Sequence, residues 1–148
     1  MADPNDPCIA CRVVSGEHVP AGGIAWRGRG FVLHAPLDPC PIPGWLVLTS
    51  ERHARALYDL SDAEAAELGR ITARAMRAQR DALGAEHVYA FAIGDVLRHL
   101  HVHLVPRFAD TPARLRGRGC FDARAGDALP AWRLIAAVES VRRALSAG

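Results

Sequence analysis

A row of three histidines, His99, His101 and His103, constrains the fold more than any other feature of this chain. Leu100 and Val102 separate them, and this period of two is that of a β-strand. On a strand the three imidazoles would share one face at a spacing of about 7 Å, while the apolar residues pack on the other. Imidazole can act as a nucleophile, a proton carrier or a metal ligand near neutral pH. The row therefore predicts a strand that carries either a nucleophile or a metal chelate.

The rest of the chain predicts a mixed α+β domain. We expect an antiparallel sheet of about five strands with two main helices packed against it. The predicted strands span 24–27, 31–34, 45–49, 87–93 and 99–105. The segment 45–49 is wholly apolar apart from its last residue, which is typical of a central strand. Four prolines between positions 36 and 43 predict an irregular connection there.

Two helices are predicted from their end signals and apolar spacing. Ser61 and Glu64 form a capping box that begins a helix, and Gly84 follows its expected end at Leu83. The apolar stripe of this helix is expected at Leu68, Ile71, Ala75 and Leu83. Pro130 is expected to begin a second helix that ends near residue 145. Its candidate inward positions are Trp132, Ile135, Val138 and Leu145.

Composition limits the classes of partner. The chain has 148 residues, of which 50% are hydrophobic, which suits one globular domain over 1–148. We expect a loose N-terminus at 1–7, an irregular region at 109–129 and a C-terminal helix at 130–145. A net charge of +2 gives no reason to expect nucleic acid or a membrane surface as a partner. Because no secretory signal is recognisable and a Cys-x-x-Cys pair is present, the expected location is the cytoplasm.

Cys8 and Cys11 have the spacing of half a zinc site. A redox pair has the same spacing, but no strand followed by a helix of the thioredoxin type surrounds it. A pair of reduced thiols that bind nothing is the third interpretation. Cys40 and Cys120 are isolated in the sequence and are expected to be ordinary free cysteines.

The histidine row resembles the motif of the histidine triad (HIT) family, in which histidines alternate with hydrophobic residues. Three further segments occur in the order typical of that family: Cys8 to Glu17, Pro43 to Leu48 followed by Arg52-His53, and Pro106-Arg107. Together they cover about residues 8 to 108. The resemblance implies a HIT-like fold and, for this bacterial branch, a homodimer.

The resemblance also implies a chemistry. In HIT enzymes the middle histidine, here His101, attacks the α-phosphorus of a nucleotide and forms a covalent nucleotidyl-histidine. The main-chain carbonyl of His99 would hold the second ring nitrogen of His101. His103 would donate a hydrogen bond to the phosphate or to the leaving oxygen. The implied enzyme is a hydrolase or transferase of a nucleoside phosphoramidate, a dinucleoside polyphosphate or an adenylate.

The chain departs from the common family pattern around the substrate. Trp45 stands where many members have a histidine, and Asp95 stands where many have a glutamine that touches the phosphate. We take Asp95 and Arg107 as candidate substrate-binding residues, since Arg107 could neutralise the carboxylate. His34 is a third candidate, because it lies near the expected nucleoside pocket. His18 and His87 are expected to be incidental.

Some bacterial HIT proteins that open with Cys-x-x-Cys hold a structural zinc. By that resemblance His53 and His99 would complete a site with Cys8 and Cys11. A closed four-ligand site would be structural and would leave His101 and His103 to chemistry. No organic cofactor is expected.

The sequence leaves three alternatives to the nucleotidyl-transfer hypothesis. The row could be a three-histidine metal site in a metal-dependent enzyme. The chain could instead be a catalytically silent nucleotide-binding module. Finally, the HIT scaffold could serve a specialised biosynthetic reaction on a substrate that is not a nucleotide.

Overall fold

The protein is described from a computed structural model that covers residues 8–37 and 39–148. The N-terminal segment 1–7 and Asp38 lie outside the described residues. Within them the chain forms one five-stranded antiparallel sheet. Its strands are β1 (Ile24–Gly28), β2 (Phe31–His34), β3 (Leu46–Ser50), β4 (His87–Phe91) and β5 (His101–Arg107). The α+β architecture predicted from the sequence is confirmed.

The strand order is β1-β2-β3-β5-β4, so β3 lies at the centre of the sheet, as its apolar sequence indicated. In the β3–β5 pair, Val47 lies opposite His103 and Thr49 lies opposite His101. This register places the last residues of β3 beside the first residues of β5. The histidine side chains of β5 therefore lie over the middle of the sheet.

The described residues contain two long helices and one short one, namely α1 (Ile9–Ser15), α2 (Asp62–Leu83) and α3 (Ala131–Ser146). The predicted capping box of α2 is present. Ser61 Oγ accepts a hydrogen bond from the Glu64 amide at 3.2 Å, and Glu64 accepts one from the Ser61 amide at 2.8 Å. Gly84 ends the helix in the left-handed conformation with φ of +74°. The short helix α1 was not predicted, because seven residues are too few for a clear apolar period.

Two of the inward positions expected for α3 were wrong. Trp132 is 69% exposed and Ile135 is 36% exposed, whereas Val138 and Leu145 are buried as expected. The inward stripe is completed by Leu134, Ala137 and Val141. These residues recur every three or four positions, so Ile135 lies at the flank of that stripe and Trp132 lies on the opposite, exposed face of the helix.

Helices α2 and α3 cover one face of the sheet and form the main core with it. Leu48, Val102 and Leu104 point into this core, as the alternation along β3 and β5 requires. The opposite face carries Trp45 and Val105, which pack with Cys40, Cys120 and Leu134 in a smaller cluster. The histidines of β5 point to this second face.

The histidine row does not form one continuous strand, which corrects the expectation that all three side chains share a face. Strand β5 begins at His101, and His99 precedes it. The Leu100 amide donates to the carbonyl of Ala54 at 2.7 Å, and the Ser50 amide donates to the carbonyl of Leu100 at 3.1 Å. These bonds tie the chain before β5 to the segment after β3. The His99 side chain is fully buried there, away from His101 and His103.

The region 109–129 lacks long elements, as expected, but three short 3-10 turns order it at Ala113–Leu115, Gly117–Asp122 and Ala125–Asp127. Cys120 in the second turn is buried, and burial raises the pKa of its thiol to about 11. None of the helices described in the structure combines the length and the apolar character that a membrane span requires.

Candidate functional site

A cavity of about 350 Å³ lies over the face of the sheet that carries the histidines. Strand β5 supplies His101 and His103, β3 supplies Val47 and Thr49, and β2 supplies His34. Trp45, the residue directly before β3, also lines the cavity. Apolar residues of α1 and of the turn around Phe121 close its other sides. Its size and its mostly apolar wall with a few polar groups are typical of a small-molecule site.

The ring of His101 is oriented by the chain beside it. Nδ1 of His101 lies 2.6 Å from the carbonyl oxygen of His99. Because a carbonyl can only accept, Nδ1 carries the hydrogen and donates it. In the neutral ring Nε2 then holds a lone pair, and it makes no hydrogen bond to any described residue. His101 therefore offers the cavity a nitrogen that can act as a nucleophile.

His103 accepts a hydrogen bond at Nδ1, whereas His101 donates one from the same ring position. The indole Nε1 of Trp45 donates a hydrogen bond to Nδ1 of His103 at 3.1 Å. The ring also packs edge-on against Phe121 and His101, with centroid distances of 5.1 and 5.0 Å. Burial is the main cause that lowers the pKa of His103 to about 4, and the nearby His101 and His34 add to it. The imidazole is therefore neutral at pH 7.

His34 lies beside the β5 histidines in the cavity wall. Its Nδ1 donates to the carbonyl of Ala35 at 2.8 Å, so in the neutral ring Nε2 accepts from the Thr49 hydroxyl at 2.9 Å. Burial lowers the pKa of His34 to about 4, mainly by desolvating the charged form. Both ring nitrogens are thus engaged within the protein, and His34 lines the cavity as a neutral ring.

A second group of side chains lies next to the cavity. The ligand atoms of Cys8, Cys11, His53 and His99 all lie within 4.8 Å of one another, and we call these residues the cysteine–histidine cluster. Nδ1 of His99 lies 3.4 Å from both sulfur atoms, and Nδ1 of His53 lies 3.2 Å from the sulfur of Cys11. The sequence-predicted metal ligands are therefore brought together by α1, by the segment after β3 and by the residue before β5.

The cluster fits a tetrahedral zinc ion. Zinc binds sulfur at about 2.3 Å and nitrogen at about 2.0 Å, which places such ligands about 3.5 Å apart. Nε2 of His99 donates to the carbonyl of Ser50 at 2.7 Å, and Nε2 of His53 donates to that of Arg98 at 3.0 Å. Both Nδ1 atoms can then direct a lone pair toward the thiols. Hydrogen bonds of this kind to the distal nitrogen orient histidine ligands in metalloproteins.

The three-histidine metal site is not formed. Among residues 8–37 and 39–148, the cysteine–histidine cluster is the only group with metal-ligand geometry. It includes His99 but neither His101 nor His103. The row is divided between two environments, one rich in sulfur and the other rich in aromatic rings.

Two of the candidate substrate-binding residues lie outside the cavity lining. Asp95 is exposed in the loop after β4. Arg107 lies four residues beyond His103, about 13 Å along the strand, where it donates to the Tyr89 hydroxyl at 3.4 Å. His34 lines the cavity, as predicted.

Several cavity residues were not found from the sequence. Thr49, Phe121 and the apolar residues of α1 line the cavity, but nothing in their local sequence marks them. For α1 a signal was available, because Cys8 and Cys11, predicted to share one site, place the residues between them beside that site. Trp45 was noted as a departure from the family, while its contact with His103 depends on the strand register.

Comparison with known proteins supports the fold. No family model matches the chain. Two curated relatives, both named AP-4-A phosphorylase and from two strains of Mycobacterium tuberculosis, are 34% identical over 88 residues. The match covers 54% of this chain and 45% of each relative, so the chain spans less than half the length of the curated relatives it matches.

Solved structures match over nearly the whole chain. A hypothetical histidine triad nucleotide-binding protein from Sulfolobus tokodaii has a TM-score of 0.75 at 16% identity and covers 95% of this chain and 93% of its own. A Zn-bound histidine triad family protein from Mycobacterium smegmatis has a TM-score of 0.65 at 22% identity, with 93% and 97% covered. The chain therefore has the fold of these histidine triad proteins, as the resemblance in sequence implied.

Proposed function

We propose that this chain is a nucleotide hydrolase or transferase that attacks the α-phosphorus of a nucleoside 5′-phosphoryl compound. The observation that carries the proposal is the 2.6 Å contact between Nδ1 of His101 and the carbonyl of His99. With the hydrogen of the neutral ring on Nδ1, the Nε2 lone pair is left for the cavity of about 350 Å³ that His101 lines. The AP-4-A phosphorylase relatives support a substrate with a phosphoanhydride or related α-phosphoryl group.

The reaction proceeds in two displacements. Nε2 of His101 forms a bond to the α-phosphorus as the bond from phosphorus to the leaving group breaks, with its electron pair going to the leaving group. Water or another acceptor then attacks the nucleotidyl-histidine, the P–N bond breaks, and the electron pair returns to Nε2, while the proton of the attacking hydroxyl passes to solvent. The carbonyl of His99 stabilises the N–H of the charged ring between the two steps. His103 donates a hydrogen bond to a phosphoryl or leaving oxygen.

The experiment that tests this proposal is intact-protein mass spectrometry after brief mixing with diadenosine tetraphosphate. We expect an AMP-sized adduct on the wild type and none on His101→Ala. The control is His87→Asn, which changes an exposed histidine at the far end of β4 and should keep the adduct. Binding of the nucleotide without any adduct would instead support a catalytically silent binding module.

We also propose that the cysteine–histidine cluster binds a structural zinc ion through Cys8, Cys11, His53 and His99. The four ligand positions and the hydrogen bonds at both Nε2 atoms support this assignment. With four protein ligands the metal has no open position for substrate. It would link α1 to the segment before β5 and so hold the His99 carbonyl in place.

We further propose that two copies of the chain associate through the β4 edge of the sheet. Strand β4 is at an edge of the sheet, and exposed apolar side chains flank it. These are Leu57, Tyr58, Ile93 and Val96, of which Val96 is 99% exposed. Edge strands and apolar patches of this kind are typical of interfaces. Light scattering should give the mass of a dimer for the wild type and of a monomer for Ile93→Asp, and a monomeric wild type would contradict the proposal.

A further inference from the structure

Trp45 occupies a constrained position at the foot of the cavity. It is 6% exposed and directly follows Gly44, whose φ of +77° favours glycine. A Cβ on Gly44 would also overlap the Leu83 side chain of α2. The Gln79 amide donates to the carbonyls of Gly44 and Leu104 at 2.8 and 2.9 Å, which ties this bend to α2 and β5. The backbone that carries Trp45 is thus fixed from two sides.

The contact between Trp45 and His103 has only one possible direction. An indole nitrogen donates and has no lone pair to accept with. Nδ1 of His103 must therefore accept the hydrogen bond, so the ring hydrogen of the neutral imidazole lies on Nε2. Nε2 makes no hydrogen bond to any residue in the described part of the chain, and His103 lines the cavity.

We propose that Trp45 is a positioning residue that holds His103 in the Nε2–H tautomer, so that the cavity meets a neutral hydrogen-bond donor at that position. His101 is held in the other tautomer by the His99 carbonyl. Two adjacent imidazoles, with ring centroids 5.0 Å apart, therefore present a lone pair and an N–H to the same cavity.

The opposite tautomers of His101 and His103 favour one class of substrate. This inference rests on the proposed nucleotidyl transfer. A neutral imidazole N–H can stabilise an oxygen anion by a hydrogen bond, but it is a very weak acid and does not supply a proton. When His101 attacks a phosphoanhydride, the P–O bond breaks and the leaving oxygen departs as an anion with the electron pair. An amine leaving group must instead receive a proton as the P–N bond breaks. The site therefore favours phosphoanhydrides over phosphoramidates.

The tautomer is tested directly by nitrogen NMR on protein labelled with ¹⁵N at histidine. At pH 7 the wild type should show His103 with an unprotonated Nδ1 and a protonated Nε2. In Trp45→Phe, which keeps an aromatic ring but loses the N–H donor, the two His103 nitrogens should shift toward exchange-averaged values. A protonated Nδ1 in the wild type would overturn the proposal, and this measurement requires no variant.

The matched control is Phe121→Leu. Phe121 packs edge-on against the same ring at 5.1 Å and has no hydrogen to donate to Nδ1. Loss of packing alone would therefore affect both variants, whereas loss of the tautomer should be confined to Trp45→Phe. An unchanged His103 tautomer in folded Trp45→Phe, or equal shifts in both variants, would show that Trp45 does not set it.

The substrate preference is tested separately with diadenosine tetraphosphate and adenosine 5′-phosphoramidate. We expect kcat/KM of the wild type to favour the tetraphosphate by about tenfold or more. A preference for the phosphoramidate would overturn the leaving-group argument. Failure to turn over either compound or to form an adduct would overturn the proposed function, while the NMR result would still decide the role of Trp45.

Discussion

The two ends of the histidine row lie in environments that differ in every respect relevant to chemistry. His99 is fully buried beside two thiols, with Nδ1 directed to sulfur and Nε2 bonded to a carbonyl. His101 and His103 line an aromatic cavity and have opposite ring nitrogens engaged. Residues of one type at a regular spacing thus acquire different chemical environments from the partners of each ring.

One residue joins the two regions. The side chain of His99 belongs to the cysteine–histidine cluster, and its carbonyl accepts the hydrogen bond from His101. Fixing the His99 ring by a metal would also fix the carbonyl that orients the nucleophile. The comparison therefore predicts that damage to the cluster acts on stability and geometry, while damage in the cavity acts on the chemical step.

The largest expected effect comes from His101→Ala. Turnover of diadenosine tetraphosphate should fall by at least about 10³-fold, because no other imidazole in the described cavity lining offers an unengaged lone pair. The zinc content, measured by elemental analysis, should stay as in the wild type, since His101 is not in the cluster. Substantial remaining turnover would remove His101 from the role of nucleophile.

Cys11→Ser should act on the cysteine–histidine cluster. Loss of a thiolate ligand should abolish tight zinc binding and lower the free energy of unfolding by about 3 kcal/mol or more. Denaturant unfolding with and without a chelator measures this effect, and the chelator should destabilise the wild type but not the variant. If a chelator instead stopped turnover at once without changing stability, the metal would belong to the chemistry.

The buried histidines of the cavity predict a dependence of stability on pH. The pKa of His34 is lowered to about 4, so the unfolded chain, with a pKa near 6.5, takes up the proton first as the pH falls. The stability from the neutral ring is complete above pH 6.5 and declines down to about pH 4, by up to about 3 kcal/mol.

His34→Asn should remove this part of the pH dependence, since an amide does not titrate in the range. Urea unfolding at several pH values between 4 and 7 measures the free energy of unfolding of the variant and of the wild type. Because both proteins keep the cysteine–histidine cluster, its contribution cancels in the difference between them. His87→Asn, at an exposed position, is the matched control. Identical slopes for His34→Asn and the wild type would mean that His34 is not buried as a neutral ring.

The smallest effect is expected from Ser61, which lies neither in the cavity nor in the cysteine–histidine cluster. Ser61→Ala removes the capping box of α2 and should cost about 1 kcal/mol of stability. Thermal unfolding measures this loss. Zinc content and adduct formation should be unchanged, so a change in either would show that α2 is coupled to the site more strongly than its position on the opposite face indicates.

Much of the fold could be predicted from local signals. The capping box at Ser61, the glycine at position 84 and the apolar run before Ser50 each depend on neighbours in sequence, and all were confirmed. Helix α1 was missed because its short sequence has no clear period. Trp132 and Ile135 were misplaced because they recur at intervals of three residues with the buried Val138, and spacing alone does not show which apolar residues face the partner surface.

The candidate site divides in the same way. The sequence by itself determined which side chains could do chemistry, because a thiol or an imidazole is a property of a single residue. It also determined that an α+β fold would carry them. The tertiary structure alone decided that His99 turns to the cysteines, that Trp45 reaches His103, and that Asp95 and Arg107 lie outside the cavity. The physical reason is that ring orientation and protonation are set by hydrogen-bond partners and burial, which here come from residues as far as 91 positions apart.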